Sequence, residues 1–415
     1  MPDRARARSA PARNVALILG LLLVAAVGAA ALAGVAVQAQ AQGVAPAELT
    51  EEELLSQITA APESAPDFSA TVTVEQTLVP EGLLGASQGN ANAASGPRSA
   101  RIWHGGPDQF RAELQGQNGD QIFVKNGSEV SAYDGAENIL RTGEKPETEE
   151  EQRPEQAASP EEINEILAEI SPTSDLRTGP PVEVAGRWAY PLTLEPKDKS
   201  LTLVERAEAF VDAEASVPLS FELYAQNNPE PVVRYAVSDF RVGDVPEDRF
   251  RIETPPGAEV VPMEEHGEER GEEGHDREPQ QVASVEEAQG LVGFPVEQLA
   301  TAPGGRELLE IRVTGSKAVI QTYGSGWGTV TLVQKPESAE ESRADEPREE
   351  TSSREQDGRG GEFQVPTVDL GGVEAKEIST PIGTALSWNA NGVTYRLVGS
   401  APAAELEEAA RGLLR

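Results

Sequence analysis

The chain has 415 residues, room for two or three domains, and carries 70 acidic against 34 basic residues for a formal charge of −36. A net field of that sign repels phosphate backbones and argues against nucleic acid as a partner. There is no cysteine, which excludes disulfides, Cys–zinc sites, thiol nucleophiles and a lipid-modified N-terminal cysteine.

Residues 1–14 carry Arg4, Arg6, Arg8 and Arg13 against Asp3, and residues 15–37 are apolar or Gly throughout. A run of about 20 such residues suffices to cross a bilayer as a helix. The basic flank stays cytoplasmic, so everything downstream is expected outside the membrane. Ala39-Gln40-Ala41 offers a small-x-small cleavage site. A cleaved signal and a retained anchor both fit; the run exceeds the usual signal core of about 7–15 residues, which favours an anchor.

The exported part opens on a helix. Thr50 caps it, Glu53 completes a capping box, Leu49 can staple to Leu54, and Leu54, Leu55 and Ile58 form its apolar stripe. Phe68, Ala70, Val72 and Val74 then alternate as a strand. Residues 80–99, small and Gly-rich, read as a loop. Strand-like pieces follow at Ile102-Trp103, Phe110 to Leu114, Ile122 to Lys125 and Val130 to Tyr133, with Asn126-Gly127 as a hairpin turn and Asn118-Gly119 as another. The acidic stretch from Glu144 to Glu155 interrupts the sheet. A second helix has Ser159 as cap, Pro160 at its first position and Glu162 closing a capping box. Ile163, Ile166, Leu167 and Ile170 form its i, i+3, i+4, i+7 stripe.

From Val182 to Pro262, runs of β-branched, aromatic and aliphatic residues alternate with Pro, Gly, Asn and Asp at intervals of about ten residues, the pattern of a large antiparallel sheet. Phe221 and Leu223 share one parity, as do Val233, Tyr235 and Val237, giving each strand one apolar face. Residues 264–281 are charged without an apolar anchor and read as a linker. His266 and His275 lie there among glutamates, but the spacing fits neither a helical HExxH site nor a Ca²⁺ loop.

Residues 282–415 form a second unit. Ser284 and Glu287 cap a short helix, and strands are expected at Leu308 to Thr314, Lys317 to Tyr323 and Thr329 to Gln334. Gly324-Ser325-Gly326-Trp327-Gly328 lies between two strands, so it reads as a glycine-rich hairpin and not as a phosphate-cradling loop, which needs a following helix. After an acidic insert at 336–362 come a strand from Val373 to Ile378, a hairpin of Leu386 to Trp388 with Val393 to Leu397, and a helix from about Pro402 to Leu414.

The succession Leu192-x-Leu-x-Pro-Lys197, Asp212 to Val217-Pro218-Leu219, then Pro246-x-x-x-Phe250 and Pro255-Pro256-Gly257 resembles the outer-membrane lipoprotein carrier (LolA-like) family. The opening helix-then-strand order and the hairpin around Asn126-Gly127 are similar to that family too. The resemblance covers roughly residues 46–262. It implies an α+β fold in residues 45–263: an antiparallel half-barrel sheet with helices over its concave face, and the helix at 160–170, through Ile163, Ile166, Leu167 and Ile170, as a lid. The segment Trp388-x-x-x-Gly-Val-x-Tyr-x-Leu-x-Gly399 resembles a small α+β domain of unknown function found at the C-termini of exported bacterial proteins, LolA-like ones and membrane-bound regulators of sigma factors among them.

No nucleophile–base–orienter set can be assembled; the histidines are His104, His266 and His275, and no GxSxG, HExxH or P-loop occurs. A non-enzyme without cofactor or metal is therefore expected. Two functions fit. One is a carrier that shelters the acyl chain of a lipid or acylated protein, for which the apolar candidates are Phe68, Val72, Val74, Phe110, Leu114, Val124, Trp188, Phe210, Phe221, Leu223 and Tyr235. Periodicity alone leaves each of these as either cavity wall or packed core. The other is a membrane-tethered envelope sensor that binds a protein or cell-wall partner; its cytoplasmic tail of about a dozen residues is too short to capture a sigma factor directly.

Overall fold

A computed structural model describes residues 44–78, 98–116, 119–144, 160–263, 280–300, 302–314, 318–337 and 365–414. The apolar run at 15–37, the Ala39–Ala41 site, Asn118, the Ser159 cap, His266, His275, nearly all of the linker and nearly all of the acidic insert lie outside these residues, as do the side chains of Glu162 and Ile163. Among the described residues no helix is long and apolar enough to cross a membrane.

The first helix, α1 (Glu51–Ser64), begins with the expected capping box: Glu53 N–H donates to Thr50 Oγ1 at 3.2 Å while Thr50 N–H donates to the Glu53 carboxylate at 2.9 Å. These bonds hold the Glu53 carboxyl below the usual carboxylate range. Six strands follow as a meander: β1 (Phe68–Gln76), β2 (Arg98–His104), β3 (Gln109–Leu114), β4 (Gln121–Asn126), β5 (Glu129–Asp134) and β6 (Ile139–Glu144). The β4–β5 turn is Gly127-Ser128, one residue later than the expected pair, with Gly127 at φ 62°. Next comes α2 (Pro160–Ile170). A second run of strands then builds back: β7 (Ser174–Thr178), β8 (Val182–Val184), β9 (Arg187–Pro196), β10 (Val204–Asp212), β11 (Pro218–Ala225) and β12 (Pro231–Val242).

Strands β1 and β12 pair antiparallel and fuse the two runs into one sheet, ordered β6-β5-β4-β3-β2-β1-β12-β11-β10-β9-β7 with β8 on β9. This is an antiparallel half-barrel sheet with helices over its concave face. Because β6 and β7 stand at opposite ends of that order, the chain must cross the whole sheet between them, and α2 lies on that crossing. After β12 the chain crosses back, along the other face, and β13 (Glu259–Pro262) pairs with β6 in parallel.

The registers define which residues share the helix-covered face. Val72 pairs with Val237 and Ala100, Phe221 with Tyr235 and Ala209, and Leu194 with Ala207 and Leu176. All but Leu176 are at or below 7% exposure. Apart from Ala100 and Leu176 they form one core with Leu54 and Ile170, and Leu49, Ile58, Ile166 and Leu176 pack against it. Alanines at 70, 207 and 209 leave the room that lets helices approach a curved sheet closely. Fully burying a side chain such as Leu54 contributes roughly 2 kcal/mol.

The family-like motifs have structural roles. Asp212 is fully buried, accepts from Glu214 N and Ala215 N at 3.0 and 2.7 Å, and takes both donors of Arg187. It thereby closes the turn that delivers Leu219 into the core. Those bonds also raise the Arg187 pKa further above its usual value. Pro246 precedes a short 3₁₀ turn that drives Phe250 onto the convex face, where Arg111 donates to the carbonyls of Arg249 and Arg251, both at 2.9 Å. A Cβ on Gly105 would sit 2.7 Å from the Phe250 ring, so that position needs glycine. Gly257, at φ 74°, turns the chain into β13.

The second unit has its own core and an antiparallel sheet ordered β14-β15-β16-β17-β21-β20-β19-β18. Its strands are β14 (Gln280–Val282), β15 (Leu308–Thr314), β16 (Ala318–Tyr323), β17 (Val330–Pro336), β18 (Thr367–Asp369), β19 (Glu374–Thr380), β20 (Gly383–Ala390) and β21 (Val393–Gly399), with helices α3 (Val285–Leu291) and α4 (Ala403–Leu413). The Trp-to-Gly segment is the β20–β21 hairpin. Asn391 and Gly392, at φ 54° and 74°, form its two-residue turn, which lets Trp388 stack on Tyr395 with ring centroids 5.2 Å apart. Buried Gln321 and Gln334 both donate to the Glu297 carbonyl, at 2.6 and 2.8 Å, pinning the segment after α3 to the sheet.

Arg306 links both units. Its side chain is 1% exposed and donates to Gly328 O and Pro303 O, each at 2.6 Å, to Leu201 O of the first unit at 2.7 Å, and to Glu405. Arg306→Ala would take the side-chain donors from the Gly328 and Leu201 carbonyls and leave Glu405 without its partner, and we expect it to lower stability by about 3 kcal/mol, read from the urea unfolding midpoint. Arg306→Lys should restore little, since an ammonium cannot reach this spread of acceptors.

Candidate functional site

The two helices leave part of the concave face open. On the β2–β6 wing, Ala112 pairs with Ile102 and Phe123, Phe123 with Ala132, and Ala132 with Arg141. The adjacent row runs Ala100, Leu114, Gln121 and Asp134. Side chains in paired positions stand on one face. Apart from Ile102, which belongs to the closed core, these rows line a groove of about 510 Å³, with Phe110 and the neighbouring Ile122 and Tyr133 completing its lining. Small alanines make the floor, Phe110 and Phe123 stand as walls with centroids 6.4 Å apart, and Gln121, Asp134 and Arg141 supply its polar lining.

Phe123 is 42% exposed. A large aromatic side chain left open on a concave face costs the same apolar hydration that a ligand would relieve. Arg141 is held by Glu137 at 3.2 Å and remains 40% exposed. Asp134 accepts from Ala136 N at 2.9 Å and Glu137 N at 3.3 Å, so its carboxylate is engaged in closing the β5–β6 turn.

The sequence-derived candidates divide into three groups. Phe110 and Leu114 line the groove. Phe68, Val72, Val74, Phe221, Leu223 and Tyr235 belong to or pack on the helix-covered core, where burial pushes the Tyr235 hydroxyl far above its usual pKa. Trp188 shares the parity of Tyr190 and Leu192, is half-buried, and has no hydrogen-bond partner for its indole N–H among the described residues. Ile170 and Ile166 are the helix residues that reach the core, while Leu167 is half-buried.

Val124 is a correction, and Phe210 stands in an unexpected row. Val124 pairs with Arg111 and Ser131, in the row opposite to Phe123, and is buried at 3% on the convex face. The run Ile122-Phe123-Val124 is apolar at both parities because the returning tail also covers the convex face, so alternation could not choose a side. Phe210 pairs with Pro191 and Ser220, in the row opposite to Ala207, Ala209 and Val211. Phe210 is nonetheless half-buried and packs against the first core.

Of the groove lining, sequence reasoning named only Phe110 and Leu114; Phe123, Ala112 and Ala132 are among the residues it missed. Their signal was the register: once Phe110 and Leu114 are placed inward, Ala112 must follow, and its partner Phe123 with it.

His104 borders the site. It pairs across strands with Phe110 and stacks on Phe68 at 5.0 Å, and its Nδ1 is buried without a partner among the described residues. Burial pushes its pKa below the usual value, against the opposing pull of the Pro66 carbonyl and the Asp67 charge. No cluster of His, Asp and Glu among the described residues could hold a metal ion.

No protein-family model matches the chain, and no curated protein matches it. Among solved structures it is similar to a chain of the Pseudomonas aeruginosa MucA/MucB complex, with 17% identity over 86% of this chain and 96% of that one and a TM-score of 0.39. It is also similar to an uncharacterized conserved protein from Thermus thermophilus, with 17% identity over 51% of this chain and 98% of that one and a TM-score of 0.30. A third likeness is to a LolA superfamily protein from Nitrosomonas europaea, with 12% identity over 49% of this chain and 98% of that one and a TM-score of 0.20.

The His104 geometry predicts an acid limb. The folded protein binds that proton less readily than the unfolded chain, whose pKa is near 6.5. Its contribution is therefore complete above about pH 6.5 and is lost as pH falls from there toward the lower folded-state pKa. Unfolding midpoints measured from pH 7.5 to 5 should decline less in His104→Phe than in the parent, while an unchanged profile would exclude the histidine as the source.

Proposed function

We propose that this chain is an exported binding protein, not an enzyme, that shelters the acyl chain of a lipid or acylated protein in the groove of the β2–β6 wing. The observation that carries this reading is the groove itself: about 510 Å³, floored by Ala100, Ala112 and Ala132, with Phe123 held open above them. That volume falls within the roughly 300–1,000 Å³ of ordinary ligand sites. Each methylene moved from water to such a surface contributes about 0.8 kcal/mol.

The polar lining at Gln121, Asp134 and Arg141 suits a ligand whose one end stays wet. Export is supported by the arginine-rich start and the apolar run at 15–37. Whether that run is retained as an anchor or removed, the binding domain lies beyond it.

Titration with a fluorescent fatty acid tests the assignment. Ala132→Trp fills the floor of the groove and should weaken binding by at least about tenfold, equivalent to about 1.4 kcal/mol, with the circular dichroism spectrum retained. Val398→Trp, on an exposed position of β21, should leave binding unchanged. Equal affinity in parent and Ala132→Trp would remove the groove as the site. A parent that binds no acyl probe but recovers one protein from crosslinked envelope would replace the carrier reading with the sensor reading.

A further inference from the structure

The glycine-rich turn that links β16 to β17 does not face solvent. Trp327, at its tip, is 9% exposed and belongs to the hydrophobic core of the first domain, together with Ile170 and Leu54. Its indole N–H donates to Ser174 Oγ at 2.9 Å. A Cβ on Gly326, at φ 58°, would lie 2.5 Å from Thr173 Oγ1, and one on Gly328 would lie 3.0 Å from Leu201. Only glycines let the turn seat this deeply.

Thr173 closes the turn that follows α2, and Ser174 opens β7 directly after it. Thr173 N–H donates to Ile170 O at 3.0 Å and Ser171 N–H to Leu167 O at 2.9 Å, and Thr173 Oγ1 lies 3.4 Å from the Ser174 Oγ that accepts from Trp327, so the docked turn reaches the end of α2 through Ser174 and Thr173. Other contacts between the domains involve residues outside α2. Among the described residues they include Arg306 on Leu201 O, Ser400 with Thr202 and Leu203 N at 2.8 and 2.9 Å, and Ile382 packed on the first core.

Ile170 at the end of α2 belongs to the same closed core as Val72, Phe221 and Tyr235, and Ile166 packs against that core. The helix itself is only eleven residues long. A helix of that length is marginal by its own propensity and depends on packing for its position.

We propose that the second domain is the latch of α2: the Gly326–Gly328 turn, through Trp327 on Ser174, holds the helix down, and its release uncovers the apolar strip beneath. Coupling of this kind needs an element with two arrangements that both ends bias. Here α2 is that element and the domain dock is one of the ends. This does not rest on the wing groove as a ligand site.

Hydrogen exchange on the full chain tests it without any ligand. In Trp327→Ala, and separately in Gly326→Ala, the amides of residues 164–171 should exchange about tenfold faster while the β1–β12 ladder keeps its protection. Ser174→Ala should give a smaller change in the same residues. A deprotected turn at 324–328 with α2 unchanged overturns the latch, because the dock is then a contact between domains and nothing more. If Trp327→Ala instead loses protection throughout both sheets, Ser174→Ala decides by the same readout: faster exchange confined to α2 supports the latch, and no change overturns it.

Discussion

A single chain constraint organises the first domain: β6 and β7 lie at opposite ends of one sheet, and among the described residues of this domain α1 and α2 are the helices that cover what lies between, joined by Trp327 from the second unit. Fourteen and eleven helical residues extend roughly 21 and 16 Å at 1.5 Å per residue. Twelve strands side by side span roughly 50 Å at about 4.8 Å each. Helices of that size can seal one region of the concave face and must leave the rest to something else. Over β1, β12, β11, β10 and β9 they make a closed core. Over β2 to β6 the same apolar face continues without them, and the groove is the result.

The convex face answers the same topology differently. The tail after β12 returns to the β6 edge and brings Phe250 onto the back of the sheet. Trp103 sits there between Arg111 and Arg249, 5.9 and 5.4 Å from their guanidinium carbons. The wing is therefore stiffened from behind while its front stays open, a sound arrangement for a binding surface because its wall need not reorganise to admit a ligand.

Much of this was legible in the sequence. Thr50 and Glu53 announced α1, and the alternation at Phe221–Leu223 and Val233–Val237 announced an apolar-faced sheet. Asn391-Gly392 lay inside the hairpin that the sequence marks between Trp388 and Val393. What could not be read is which apolar residues are covered. Phe221 and Phe110 obey the same alternation; only the paths of α1 and α2 make the first core and the second groove wall. Val124 went astray for a related reason, since β4 carries apolar residues at both parities where two layers cover the sheet. Trp327 was read as part of a hairpin, which it is, but nothing local shows that its ring leaves its own domain; the glycines on either side are the trace of that close approach.

The central claim is that the β2–β6 wing receives the apolar ligand while the helix-covered half is closed. Photocrosslinking of the native chain with a photoreactive fatty acid, followed by mapping of the modified residues by mass spectrometry, tests it most directly. The account predicts label on Phe110, Ala112, Leu114, Phe123 and Ala132. Label on Val72, Phe221, Leu223 and Tyr235 in their place would contradict it, for it would mean that the helices yield and the wing is not the site.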